Sequence, residues 1–244
     1  MKKGLVSITF RQKSPEEVIE LVKSAGLTAI EWGGDVQVPH GDIEIAKRVG
    51  ELTRESGIDV VSYGSYYNYH AYYYDHSKDS TFEGTLNSAI ALGTKIIRVW
   101  AGIKNFDETT EEERKPIYDN LKYAVEKADK HGITIATEFH PNTLTNTPEG
   151  AEETLANVPG LKTYWQPLYD RSLETECEII KKFGKDIVNA HLPGRATLAA
   201  IKDRIGVYIE HLEKYTNSHS LLIEFVKDGN VEQFFEDAKI FTNI

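Results

Sequence analysis

One cysteine, Cys177, stands in a chain of 244 residues. No internal disulfide can form, so the fold must rest on a buried apolar core, and nothing points to an oxidising compartment. On a helix, Cys177 reads as a small core residue and not as a nucleophile. Long apolar runs are also missing: no stretch approaches the roughly 20 residues that a membrane-spanning helix needs. The opening Met1-Lys2-Lys3 leads into the short apolar stretch 4–10, which Arg11, Gln12 and Lys13 cut off. No small-residue cleavage site comes after it, so a secretory leader is not expected and the cytoplasm is the expected location. Positive charge is scarce, with 28 Lys and Arg against 38 Asp and Glu and a formal net charge of −10. That balance argues against a nucleic-acid partner and against docking on an anionic membrane. It leaves room for a small anionic substrate held by a few local arginines.

Glycine is absent where one alternative fold would need it. Arg11-Gln12-Lys13-Ser14 comes after the first apolar run, whereas an open doubly wound sheet usually carries a Gly-rich phosphate loop there. What the chain does have is a repeating unit. Residues 5–10 read as a strand. Ser14-Pro15-Glu16-Glu17 then opens a helix with an N-cap, a proline at the first helical position and a capping box, and Gly26 closes it. Further strands read at 29–32, 58–63, 95–101, 133–139, 161–166, 187–191 and 221–225. Helices read at 43–56, 81–92, from 111 to about 132, from about 148, and at 172–183, 198–215 and 231–241. Eight strand–helix units of about 30 residues predict an α/β protein, a single (β/α)8 TIM barrel over residues 1–244.

In such a barrel the C-terminal ends of the strands hold the active site. Arg11, Glu31, Trp32, Tyr63, Arg98, Trp100, Glu138, His140, Gln166, His191 and Glu224 stand there. Four of them, Glu138, Gln166, His191 and Glu224, lie 28, 25 and 33 residues apart. Each is therefore one unit from the next, and together they predict a centre for a divalent metal, Mn, Co, Mg or Zn. His140 lies two residues past Glu138 and points the same way, as an acid/base candidate. Arg98 reads either as a salt-bridge partner to a site glutamate or as the holder of an anionic group, and Arg11 and Arg195 are weaker candidates for that second role. Trp32, Tyr63, Trp100 and Asn142 complete the expected substrate-binding set. The tyrosine-rich stretch 66–74 reads either as a wall over a sugar ring or as a homodimer interface.

On Ile8-Thr9-Phe10-Arg11, Ala29-Ile30-Glu31-Trp32-Gly33, Ile97-Arg98-Val99-Trp100-Ala101-Gly102 and Glu138-Phe139-His140-Pro141-Asn142-Thr143-Leu144-Thr145, the chain resembles the xylose isomerase-like TIM-barrel superfamily. The resemblance implies Glu138, His191 and Glu224 as metal ligands and His140 as acid/base. It also implies a small sugar or sugar-acid substrate, and isomerisation or epimerisation through an enediolate with Glu138 and Glu224 as catalytic carboxylates. The last motif looks most like the 3-dehydroshikimate dehydratase branch, which makes a lyase the alternative. The sixth strand departs from the family pattern: Gln166 stands where relatives usually carry Asp, and Tyr169 where they carry His. That departure implies a metal held more weakly, with a catalytically degenerate sugar-binding barrel as the third reading.

Overall fold

The computed structural model describes residues 1–70, 73, 75–168, 171–194 and 197–244. Strands and α-helices alternate: β1 (Lys2–Val6), α1 (Pro15–Ser24), β2 (Ala29–Gly33), α2 (Ile43–Glu55), β3 (Asp59–Gly64), α3 (Phe82–Leu92), β4 (Ile96–Arg98), α4 (Glu111–Asp129), β5 (Thr134–Glu138), α5 (Pro148–Asn157), β6 (Lys162–Trp165), α6 (Leu173–Phe183), β7 (Ile187–Pro193), α7 (Lys202–Tyr215), β8 (Ser220–Glu224) and α8 (Val231–Thr242). The strands succeed one another in chain order as a closed barrel. All the strand pairs described are parallel. This is the (β/α)8 architecture that the repeating unit predicts.

By packing, the chain divides into two compact units: Met1–Trp32 with Leu52–Val61 and Trp165–Ile244, and Gly33–Glu51 with Ser62–Tyr164. In the first, β1 pairs with β2 and β8, and β8 with β7. Its register brings Gly4 against Ala29. A Cβ at Gly4 would fall 2.3 Å from the Ala29 carbonyl oxygen, so glycine is required there. Val6, Ile8, Ala29 and Leu222 form its apolar centre. In the second unit β4 pairs with β3 and β5, and β5 with β6, with Arg98 opposite Ala136 and Glu138 opposite Tyr164.

The helix starts are as the sequence predicts. Ser14 and Glu17 form a full capping box, Pro15 opens α1, and Thr110 with Glu113 cap α4 in the same way. Two stretches differ. Residues 7–10 form a 3-10 turn and not strand. All four are buried, and the Phe10 ring meets Phe234 of α8 edge-on at 5.5 Å, so apolar pattern alone does not mark where β1 stops. Residues 198–201 likewise form a 3-10 turn before α7 begins at Lys202. The buried Asp237 carboxylate accepts the Leu198 amide and holds that turn in place. Cys177 is only half-buried on α6. No helix among the described residues is long and apolar enough to cross a membrane.

Candidate active site

The first unit brings together Glu31, His191 and Glu224. On paired parallel strands, residues in register project to the same side, and so do residues two apart. His191 is in register with Leu222, and Glu224 lies two further along β8. The two side chains therefore share a face, with Nδ1 of His191 3.8 Å from Oε1 of Glu224. On the other side of the ring, Nε2 lies 3.5 Å from Oε2 of Glu31, in the middle of β2. All three residues are buried. Gln166, also buried, comes directly after β6. Its segment is fixed from α6: Glu176, fully buried, accepts the Trp165 indole N–H at 2.9 Å and the Leu168 amide at 2.9 Å.

The second unit supplies Arg98, Glu138 and His140. Arg98 and Ala136 are in register, so Glu138, two beyond Ala136, faces the same way as Arg98. Arg98 Nη1 lies 3.1 Å from Oε2 of Glu138, and both side chains are buried. The guanidinium also stands 5.2 Å from the Trp100 ring. An unpaired carboxylate in such a place would be costly. The Arg98 guanidinium supplies the opposite charge that a Glu138 carboxylate needs there. Glu138 also keeps a fixed backbone, because Thr145 donates its hydroxyl to the Glu138 carbonyl.

His140 lies just beyond, half-buried, with its ring edge-on to Trp100 at 4.7 Å. Its Nδ1 lies 2.6 Å from the Pro141 carbonyl oxygen. A carbonyl only accepts, so Nδ1 carries the proton and the other ring nitrogen, Nε2, is not committed to that bond. Thr143 holds the His140 carbonyl through its hydroxyl at 2.7 Å. Asn142, at φ 60°, turns the chain sharply after it. Phe225, directly after Glu224, also sits at positive φ (61°). Strained backbone of this kind tends to gather at functional sites.

Among the described residues, the metal-capable side chains that stand out are Glu138 in the second unit and His191 and Glu224 in the first, all buried. Two carboxylate oxygens and one imidazole nitrogen suit a divalent cation that accepts mixed O and N donors. Within the first unit the buried Glu31 and Glu224 flank His191, and such carboxylates repel unless a positive charge lies among them, so this donor set fits a cation.

The other expected residues take up varied positions. Trp100 joins the wall beside His140 and donates its indole N–H to the Ser65 carbonyl at 3.1 Å. Arg11 comes after the 3-10 turn that ends β1 and is half-buried. Asn142 is exposed and donates its backbone amide to Asn105 Oδ1. Trp32, expected to touch substrate, is fully buried and donates its indole N–H to Thr53 of α2, which makes it a packing residue. Tyr63 is likewise fully buried, with its hydroxyl on the Val38 carbonyl at 2.7 Å. Arg195 lies outside the described residues, as does Tyr169. Sequence reasoning noted Glu31 only as a strand-end residue. Its place beside His191 shows in the barrel register and leaves no mark in local spacing.

A family model described as xylose isomerase-like TIM barrel matches residues 19–168. A curated relative, the 3-dehydroshikimate dehydratase of Bacillus anthracis, is 26% identical over 175 residues, 66% of this chain and 60% of that protein. The match thus spans less than two thirds of the relative's length. Two solved structures share the fold over nearly their whole length. The probable 3-DHS dehydratase of petrobactin synthesis from Bacillus anthracis has TM-score 0.79 and 18% identity, covering 100% of this chain and 99% of that one. A D-psicose 3-epimerase crystallised in the presence of D-fructose has TM-score 0.71 and 14% identity, covering 100% and 98%.

Proposed function

Since the chain belongs to the xylose isomerase-like TIM-barrel family, we propose that it is a divalent-metal-dependent enzyme that removes a proton next to the carbonyl of a small polyhydroxylated keto compound. The observation that carries this is His140. Its Nδ1–H is committed to the Pro141 carbonyl, leaving Nε2 as the base on the same strand end as Glu138. A divalent cation held by Glu138, His191 and Glu224, with Gln166 as a weaker fourth donor, would polarise the carbonyl and steady the enolate. The chain's own groups do the rest. His140 takes the C–H proton, Glu31 orients His191, and Arg98 keeps Glu138 ionised.

The fate of the enolate decides the reaction class. Loss of the β-hydroxyl breaks a C–O bond, forms C=C and releases water once the departing hydroxide takes up a proton. This is the dehydratase outcome, favoured by the match to 3-dehydroshikimate dehydratase. Return of a proton to the opposite face gives epimerisation, or to the neighbouring carbon isomerisation. That second reading is favoured by Glu224, a buried carboxylate beside His191. Because Arg98 engages Glu138, Glu224 is then the group left to deliver that proton. Arg11, half-buried after the 3-10 turn that ends β1, would receive a substrate carboxylate. The test is incubation in D2O with 3-dehydroshikimate and, separately, with ketohexoses, each with Mn, Co, Mg or Zn. Conversion to protocatechuate supports the lyase, and deuterium in recovered or epimerised sugar supports the second reading. His140→Gln should lower turnover about 10²- to 10⁴-fold while metal still binds. A variant as active as wild type would remove His140 from the mechanism.

A further inference from the structure

His40 lies on the segment between β2 and α2 and is fully buried. Its ring nitrogens have separate partners. The Tyr66 amide donates to Nε2 at 3.3 Å, and Nδ1 lies 2.7 Å from the Thr85 hydroxyl of α3. A backbone N–H only donates, so Nε2 is the acceptor and Nδ1 carries the proton toward Thr85. The His40 carbonyl accepts the Lys78 amide at 2.9 Å and the Asp79 amide at 3.3 Å. One residue therefore holds both ends of the tyrosine-rich segment, position 66 through its side chain and positions 78 and 79 through its backbone.

The surroundings are shaped to that task. A Cβ at Gly34 would fall 2.7 Å from His40 Nε2, and one at Gly41 would fall 2.5 Å from the Asp79 amide nitrogen. Gly41 also donates its amide to Ser88 of α3 at 2.9 Å. What the segment carries is an aromatic stack. Tyr66 stacks on Tyr73 at 4.0 Å, Tyr69 stacks on Trp100 at 4.2 Å, and Trp100 meets His140 edge-on at 4.7 Å.

We propose that His40 is a positioning residue, a clasp that fixes both ends of the 66–79 segment and so holds the Tyr69–Trp100 wall in register with His140. The functional half rests on the reading of His140 as the base. The clasp itself stands on the hydrogen bonds alone. In that role His40 sets the fit of the polyhydroxylated substrate against the wall and not the rate of proton transfer.

Two variants separate the clasp from mere packing. Gln at position 40 can place its Oε1 where Nε2 accepts the Tyr66 amide, whereas Asn reaches only the Thr85 side. In His40→Asn, chymotrypsin should cut within 66–79 at least tenfold faster than in wild type, with cleavage sites located by mass spectrometry. In His40→Gln the rate should stay within about threefold. Equal rates in wild type and His40→Asn, or equal loss in both variants, would overturn the clasp. If His40→Asn does not fold, hydrogen exchange on the wild-type protein decides. The amides of Tyr66, Lys78 and Asp79 should open together, and independent exchange at the two ends would overturn the proposal. With a turned-over substrate in hand, His40→Asn should raise KM with kcat little changed; a fall in kcat alone would overturn the assigned role. Should no substrate be turned over, the proteolysis and exchange results still stand, so failure of the catalytic reading and failure of the clasp are told apart.

Discussion

At the scale of single residues, buried side chains of the site stand in pairs of carboxylate and nitrogen group. Glu138 has Arg98 and His191 has Glu31. Glu31 fits the arrangement in which a carboxylate steadies the far nitrogen of a metal-binding histidine and fixes its tautomer. Glu31→Gln should therefore weaken divalent-metal binding about 10- to 100-fold by calorimetry with the fold intact; unchanged affinity would remove Glu31 from this role. His40 gives a second prediction. Burial, opposed by the charges of Asp35 and Asp79, pushes its imidazolium from the usual 6.5 down to about 4. Tyr63, from β3, packs against the same ring. Between those two values the unfolded chain binds a proton that the folded chain refuses. Stability is thus fully present above about pH 6.5 and is lost as pH falls through 4, on the order of 3 kcal/mol from this residue. Urea melts at stepped pH should show that slope, and His40→Gln should flatten it. The types of residue at the strand ends were legible in the sequence. A salt bridge from Arg98 to a site glutamate was one of two readings open in the sequence, but the pairing of Glu31 with His191 was not legible, because they lie 160 positions apart and meet only through register.

At the scale of elements, capping chemistry is what made the helices readable. Ser14, Thr81, Thr110, Thr147, Ser172 and Asn230 all accept a first-turn amide. Strand ends were harder to read. The strands of such a barrel are buried on both faces, β2 and β8 along their whole length, so polarity does not alternate and a buried turn such as 7–10 looks like more strand. The loop after β6 shows how an element supports the site. Glu176 on α6 accepts from Trp165 and Leu168, on either side of Gln166. Glu176→Ala leaves two buried donors without their acceptor and should cost about 2–4 kcal/mol by chemical denaturation. It should also loosen metal binding through Gln166. Loss of stability with metal affinity untouched would show that Gln166 is not a ligand.

At the scale of the whole molecule, the question is why a chain with net charge −10 places several of its glutamates in its interior. Glu31, Glu138 and Glu224 are all buried, and Arg98 answers the charge of Glu138. A bound divalent cation would supply the remaining compensation. Metal should then stabilise the fold by mass action, about 2.7 kcal/mol at a hundredfold excess over Kd. As the proposed fourth donor, Gln166 would carry less negative charge than the aspartate that the resemblance implies there. It would ease the metal-free state and weaken the hold on a hard cation. Gln166→Asp should reverse both effects. Without metal its Tm should fall below that of wild type, because a further buried carboxylate joins the cluster. With saturating Mn or Mg its Tm should rise by more than the wild-type shift. A variant less stable in both states, with no gain on adding metal, would place residue 166 outside the coordination sphere. The metal centre would then rest on Glu138, His191 and Glu224 alone.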